Sequence, residues 1–330
     1  MIIRTPRYFY SFKCVADKCS ASCCVGWDVY VDESTERKYI DLQGELGERI
    51  RKSLKHSPDG TCIGLSEGRC PFLNDRGLCD IISELGADYI SEICAEHPRY
   101  YLTLGEYVFG GLGASCEEAA RLILTEEGGH GYVEKEADGF LPLDCDGDIF
   151  NYVYRSYLEC VGIASDESDL YSAIIKICGV TERLDGEING DFSEKILHVP
   201  GDTADNYRFI REIAGSLEYM NEKSRDELFS RDLEKTCYEG SRTHGKKVLL
   251  YFLDRYYMMI AEDGDALGIL GFILFSTAVI FRRLSGELRS DVSVFREYSS
   301  EIEYNECNVE AIREKTRSRI YTDVLPMFSL

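Results

Sequence analysis

Four cysteines stand within eleven residues near the start of the chain: Cys14, Cys19, Cys23 and Cys24, in the frame C-x4-C-x3-C-C-x2-W that ends on Trp27. Cys70, Cys79, Cys94 and Cys116 follow. Thiolates are soft donors, and thiolates grouped in a reducing compartment select zinc or iron–sulfur centres. The eight are therefore the candidate metal ligands. Structural zinc is usually held by paired ligands two to four residues apart that close a tetrahedron. Only the first group is that tight, since the later intervals hold eight, fourteen and twenty-one residues. Such gaps require a fold that gathers ligands from several loops, which favours an iron–sulfur cluster, with zinc as the alternative. Eight thiols exceed one four-ligand site, so either some stand behind the ligands or pack as core, or a second ion is bound. Cys23 and Cys24 are consecutive, and side chains of adjacent residues diverge, so one of the pair is expected to point away. His97, three residues after Cys94, offers either a ligand or a hydrogen-bonding ring. Cys62, Cys145, Cys160, Cys178, Cys237 and Cys307 show no metal spacing and are expected as small buried residues.

The elements that must position these thiols are partly legible. Asp32 or Ser34 can cap a helix whose apolar residues Leu42, Leu46, Ile50 and Leu54 recur every four positions. Cys70 to Cys79 reads as two short extended segments around an Asn74-Asp75-Arg76-Gly77 turn, which brings the two thiols together. A helix is expected from Ser83 to Cys94, and a second hairpin over Tyr100 to Phe109. Ser115 and Glu118 have the spacing of a capping box, which places Cys116 in the first turn of the following helix. There the free backbone N–H groups favour a thiolate; the alternative is a small buried residue at a helix start. Glu126-Glu127-Gly128-Gly129-His130-Gly131 suits a connector.

Two domains are expected, a cysteine-rich metal or iron–sulfur module over residues 1–125 and a mainly helical domain over 126–330. The fold class is mainly α, a helical domain preceded by a small α+β cysteine-rich metal-binding module. In the second domain, Val248, Leu249, Phe252, Tyr256, Met259 and Ile260 share a helical face, and the apolar run Ala266 to Phe281 forms the partner helix of a core hairpin. That run is shorter than the roughly 20 residues that span a bilayer. No membrane segment is expected. The start of the chain has no apolar leader, so a cytoplasmic protein is expected, and its cysteines read as metal or redox groups rather than as a disulfide framework.

The net charge is −22, with −5 in residues 1–125 and −17 in the remainder. Nucleic acid is excluded as a partner, because phosphate neutralisation needs clustered Lys and Arg. The acidic surface serves solubility or attracts a lysine-rich protein. No G-x-G-x-x-G, P-loop, H-E-x-x-H or G-x-S-x-G motif is present. The radical-cluster spacing C-x3-C-x2-C also fails, since Gly26 stands where a third thiol is required after Cys19 and Cys23. From the residues alone, the chain is a metal-binding thiol module joined to a helical domain.

Pro6, Phe12-Lys13-Cys14, Cys19, Cys23-Cys24, Gly26-Trp27, Cys70-Pro71-Phe72-Leu73, Gly77-Leu78-Cys79, Cys94, Pro98-Arg99 and Ser115-Cys116, in this order and spacing, resemble the flagellin lysine-N-methylase family. They are also similar to a broader class of zinc- or iron-chelating cysteine-cluster proteins. The resemblance covers residues 6 to about 124, with a looser likeness from Lys246 to about Arg283; Glu117 stands where the family usually carries proline. It implies methyl transfer from S-adenosylmethionine to lysine side chains of flagellin or another protein, with an iron–sulfur cluster (4Fe-4S) held by the cysteines. The alternative is a metal-binding or redox module without transferase activity.

Overall fold

A computed structural model describes all residues except 59, 127–129, 143–144, 191–202, 230–238 and 329–330. The fold is mainly α with a minor share of sheet. In chain order the elements run β1 (Ile2–Pro6), β2 (Val29–Val31), α1 (Glu33–Asp41), α2 (Gly44–Ser53), β3 (Leu54–Ser57), β4 (Gly60–Ile63), α3 (Asp80–Leu85), α4 (Glu92–Glu96), β5 (Arg99–Leu104), β6 (Tyr107–Leu112), α5 (Glu117–Thr125) and β7 (Tyr132–Glu136). Helices follow: α6 (Gly147–Asp166), α7 (Leu170–Asn189), α8 (Thr203–Ala214), α9 (Glu222–Leu228), α10 (Glu239–Tyr256), α11 (Ile260–Asp263), α12 (Ala266–Phe281), α13 (Leu288–Tyr298) and α14 (Glu306–Thr316). They fall into two compact units. A helical unit comprises Met1–Phe12, Tyr101–Ser115 and Ala119–Leu330, and a cysteine unit comprises Lys13–Tyr100 and Cys116–Glu118.

In the helical unit, α12 is buried over its whole length and packs against α7, α10 and α14. No helix among the described residues is long and apolar enough to cross a membrane. The expected α10–α12 pair forms, with one difference. Leu250, Tyr251 and Leu253 are buried along with Val248, Leu249 and Phe252, so this part of α10 is enclosed around its circumference rather than on one stripe. It ends in a 3-10 turn at Tyr257–Met259, and Met259 is only half-buried. The sheet has the order β5-β6-β1-β7. Strand β1 runs parallel to β6, with Ile2 opposite Tyr107, and antiparallel to β7, with Pro6 opposite Tyr132.

The cysteine unit is built on an antiparallel sheet of order β2-β4-β3. Its core joins Val29, Val31, Tyr39, Leu46, Ile50, Ile63, Cys70, Phe72 and Ile81. Asp32 caps α1 as expected, its Oδ1 accepting from Thr35 N at 2.9 Å, and its Oδ2 accepts from Glu92 N at 3.0 Å. The single helix expected through Leu42, Leu46, Ile50 and Leu54 is instead two helices and a strand. Leu42 is extended and Gly44 takes φ +89°, where a side chain would be strained, so the chain turns between α1 and α2. Arg51 closes the exposed end of α1 by donating to Leu42 O at 2.6 Å and Tyr39 O at 3.2 Å. The helix expected from Ser83 to Cys94 is likewise split into α3, a 3-10 turn at Ala87–Tyr89 and α4, because Gly86 at φ +95° ends α3.

Candidate metal centre

All eight candidate cysteines lie in the cysteine unit, where the local structure explains how each is placed. The Cys70–Cys79 segment folds back as the turn residues predict. Asn74 N donates to Leu78 O at 2.9 Å, Asn74 Oδ1 accepts from Arg76 N and Leu78 N, and Leu73 stands opposite Cys79. Gly77 supplies the φ +73° that this turn needs. The Cys70 amide then donates to Cys24 O at 2.7 Å, which ties the second half of the vicinal pair to this hairpin. Cys24 and Cys79 pack against the core that contains Cys70.

Glu117 ties the Cys19 loop to the start of α5. Its Oε2 accepts from Ser20 N at 2.8 Å, Ser20 Oγ at 2.5 Å and Ala21 N at 3.1 Å, and from the Cys19 thiol at 3.7 Å. Cys116 is the residue just before it. Burial raises the Glu117 carboxyl, but these donors outweigh that effect and hold it below the usual carboxylate range. The capping box expected from Ser115 and Glu118 does not close, because Ser115 Oγ is buried without a hydrogen-bond partner. Instead α5 begins at Glu117, and Cys116 sits immediately before its first turn. In the sequence, position 117 stood out only as a glutamate where the resembled family usually carries proline; the loop that its carboxylate clamps lies almost a hundred residues earlier, so no local signal could have revealed it.

Several of the thiols act on one another electrostatically. Cys24 acts on Cys70, Cys79 and Cys94, and Cys79 acts on Cys70 and Cys94. Cys14 acts on Cys19 and Cys23, and Cys116 acts on Cys23. The vicinal thiols of Cys23 and Cys24 are hydrogen-bonded to each other, and that bond makes Cys24 the readier of the two to ionise. The expectation was that one of the pair points away; instead the two thiols meet each other. Burial pushes the Cys70 thiol up to about 11, the position of a thiol that ionises only with a cation beside it. Among the described residues, no three or more His, Cys, Asp or Glu side chains are drawn together as a ligand shell. The donor chemistry nevertheless fits a soft metal, being almost entirely sulfur.

His97 is a candidate of a different kind. Burial lowers its ring to about 4, so the imidazole is neutral, and its Nε2 is buried without a hydrogen-bond partner. The hydrogen-bonding reading therefore has no partner at that nitrogen. The ring lies beside Trp27, with centroids 6.5 Å apart. Of the other cysteines, Cys160 and Cys178 are buried as expected, Cys62 and Cys145 are half-buried, and Cys307 is exposed, against expectation. Cys237, and Glu127, Gly128 and Gly129 of the expected connector, lie outside the described residues.

The helical unit holds a polar group that sequence reasoning missed. His130 Nε2 lies 2.8 Å from Asp254 Oδ2, and its Nδ1 lies 3.3 Å from Glu126 Oε2. Tyr132 and Tyr157 donate to Asp254 Oδ1 at 2.5 and 2.8 Å. Burial disfavours the charged ring, but the two carboxylates outweigh it and raise His130 to about 9. The signal was a lone aspartate inside the apolar stretch of α10. A second buried group joins Tyr251, Tyr256 and Arg255 to Glu303, with both tyrosine hydroxyls within 3.0 Å of Glu303 Oε1.

No family model and no solved structure matches the chain. Among curated proteins, the chain is similar to the flagellar biosynthetic protein FliU of Salmonella muenchen, 28% identical over 142 residues, which is 41% of this chain and 84% of that protein. It is also similar to the lysine-N-methylases of Salmonella typhimurium and Salmonella choleraesuis, 28% identical over 131 residues, which is 38% of this chain. The chain spans about a third of the length of those methylases.

Proposed function

We propose that this protein is a protein-lysine N-methyltransferase that transfers a methyl group from S-adenosylmethionine to a lysine of flagellin or of another protein, with a cysteine-bound iron–sulfur centre. The observation that carries the reading is the collection of all eight thiols in one compact unit of a chain similar to two lysine-N-methylases. In the reaction the sulfonium S–CH3 bond breaks and an N–C bond forms at the lysine Nζ. The lysine releases one proton, and the donor leaves as its neutral thioether. A lysine amine with an ordinary pKa of about 10.4 is protonated at neutral pH, so the site must strip that proton by desolvation or by a nearby base. The net charge of −22 favours the approach of a cationic side chain. A cluster held by three of the cysteines would leave one iron open to the donor's amino and carboxylate groups, whereas one held by four would be structural or redox active.

Ligands drawn from the eight cysteines would hold the metal, and Glu117 would fix the Cys19–Ala21 loop among them. The test is incubation of protein purified without oxygen with methyl-labelled S-adenosylmethionine and flagellin, followed by mass spectrometry of the flagellin lysines. Methylated lysine is expected; the absence of label on any lysine, with metal bound, overturns the reading. The second reading is a metal-binding or redox module without transferase activity. It draws on the FliU match, a relative named for flagellar biosynthesis and not for an enzymatic reaction.

A further inference from the structure

We propose that the outer edge of β7 is a docking strand for an extended, lysine-bearing segment of the acceptor protein, which adds to the sheet as a further strand. This deepens the acceptor side of the reading above and rests on it. Strand β7 ends the order β5-β6-β1-β7, and among the described residues no strand pairs with its far side. The open edge of a sheet is a row of backbone donors and acceptors that another chain can complete.

The register shows which groups stand on that edge. Ala137 N donates to Met1 O and Arg7 N to Gly131 O, each at 2.9 Å, so the odd-numbered residues along β7 turn their backbone groups toward β1. The N–H and C=O groups of Tyr132, Glu134 and Glu136 therefore face outward. Glu134 and Glu136 share one face of the strand and are both exposed. Arg4 holds one Glu134 oxygen at 2.5 Å, which fixes that carboxylate beside the edge while 46% of the side chain stays open. Natural edge strands are commonly blunted by lysine. The one cation of β7, Lys135, is turned to the opposite face, where its Nζ lies 3.9 Å from the centre of the Tyr10 ring, and it leaves this edge unblunted. Side chains directly opposed on neighbouring strands stand about 5 Å apart, so lysines at alternate positions of an added strand meet the two carboxylates. A second copy of this chain is disfavoured as the occupant, because antiparallel pairing of two β7 edges sets glutamate against glutamate.

The probe is a fluorescent decapeptide of alternating lysine and valine, titrated into the full chain while its polarisation is read, with amide hydrogen exchange at residues 132–136 followed in the free and bound protein. Binding that weakens with salt is expected, together with slowed exchange of the Glu134 and Glu136 amides. Glu136→Pro removes an outward N–H without breaking a bond to β1 and should weaken binding about tenfold or more; Glu136→Gln keeps the amide and should weaken it less. The inference is overturned by the absence of binding, by binding that leaves these amides unchanged, or by equal affinity of Glu136→Pro and the unsubstituted protein. Equal binding of a peptide with glutamate in place of lysine overturns it as well, and so does a dimer that Glu136→Pro dissociates, since the edge would then belong to a second copy. If Glu136→Pro does not fold, the exchange pattern of the unsubstituted protein decides alone. Methyl transfer to flagellin without docking at this edge sinks the inference and spares the proposed function; docking without methyl transfer spares the edge and sinks that function.

Discussion

Replacing His130 with glutamine should flatten the pH dependence of stability by about 3 kcal/mol between neutral and alkaline pH. The ring is enclosed, its side chain 6% exposed, between Asp254 and Glu126, which raise it from 6.5 to about 9 against the cost of burial. A folded-state pKa above the unfolded one means that folding favours the protonated ring. Its stabilisation is thus fully present below pH 6.5 and is lost as pH rises through 9. The shift of some 2.5 units at about 1.36 kcal/mol each gives the figure of about 3. Urea unfolding followed by helical ellipticity, under reductant and at several pH values from about 6 to about 9.5, reads it as a midpoint that falls by roughly 1 M more in the native sequence than in the variant. Subtracting one protein from the other removes groups that titrate in both. Parallel curves would refute the reasoning, because they would show that the two carboxylates do not hold a proton on this ring. Asp254→Asn should cost more, about 3–5 kcal/mol at neutral pH, since it leaves a protonated ring beside an amide and disturbs two tyrosine hydroxyls.

Glu117→Ala should leave the fold in place but free the Cys19–Ala21 loop, read as several-fold faster alkylation of Cys19 in metal-free protein; an unchanged rate would show that the carboxylate does not hold the loop. Phe72→Ala, at a position 1% exposed in the core of the cysteine unit, should destabilise that unit by about 3–5 kcal/mol, measured by Trp27 fluorescence during urea unfolding. Gly271→Ala places a methyl 2.2 Å from Thr316 Oγ1 and 3.2 Å from Thr316 backbone, so a loss of about 1–3 kcal/mol is expected; a smaller loss for Gly271→Ala/Thr316→Ala than for the single change would confirm the clash.

Much of what positions the thiols follows from local rules. The Asp32 cap, the Asn74–Gly77 turn and the Tyr100–Phe109 hairpin each depend on residues within a few positions, so short-range chemistry defines them. The apolar run of α12 is equally plain, since sixteen residues of which only Ser276 and Thr277 are polar can be stable in water only when buried. The helix through Leu42 to Leu54 was misread for an instructive reason. Its apolar spacing is helical, but Gly44 adopts a positive φ, and periodicity carries no information on which glycine will turn the chain. The buried Asp254 group was hidden because His130, Tyr132 and Tyr157 reach it from segments about a hundred residues earlier.

The order and spacing of the cysteines, the acidic charge and the helical character of the larger part of the chain were determined by the sequence itself, because composition and short-range period are properties of the chain before it folds. What only tertiary structure decided is which partners each group meets. Strand β1 pairs with β6 and β7 from more than a hundred residues away, and Glu117 returns to the loop at Cys19. The Cys70 amide reaches back to Cys24 O. The physical reason is common to all three. Spacing along a chain fixes how far two residues can reach, while the direction of a side chain and the closure of a long loop are set by the packing that rewards them.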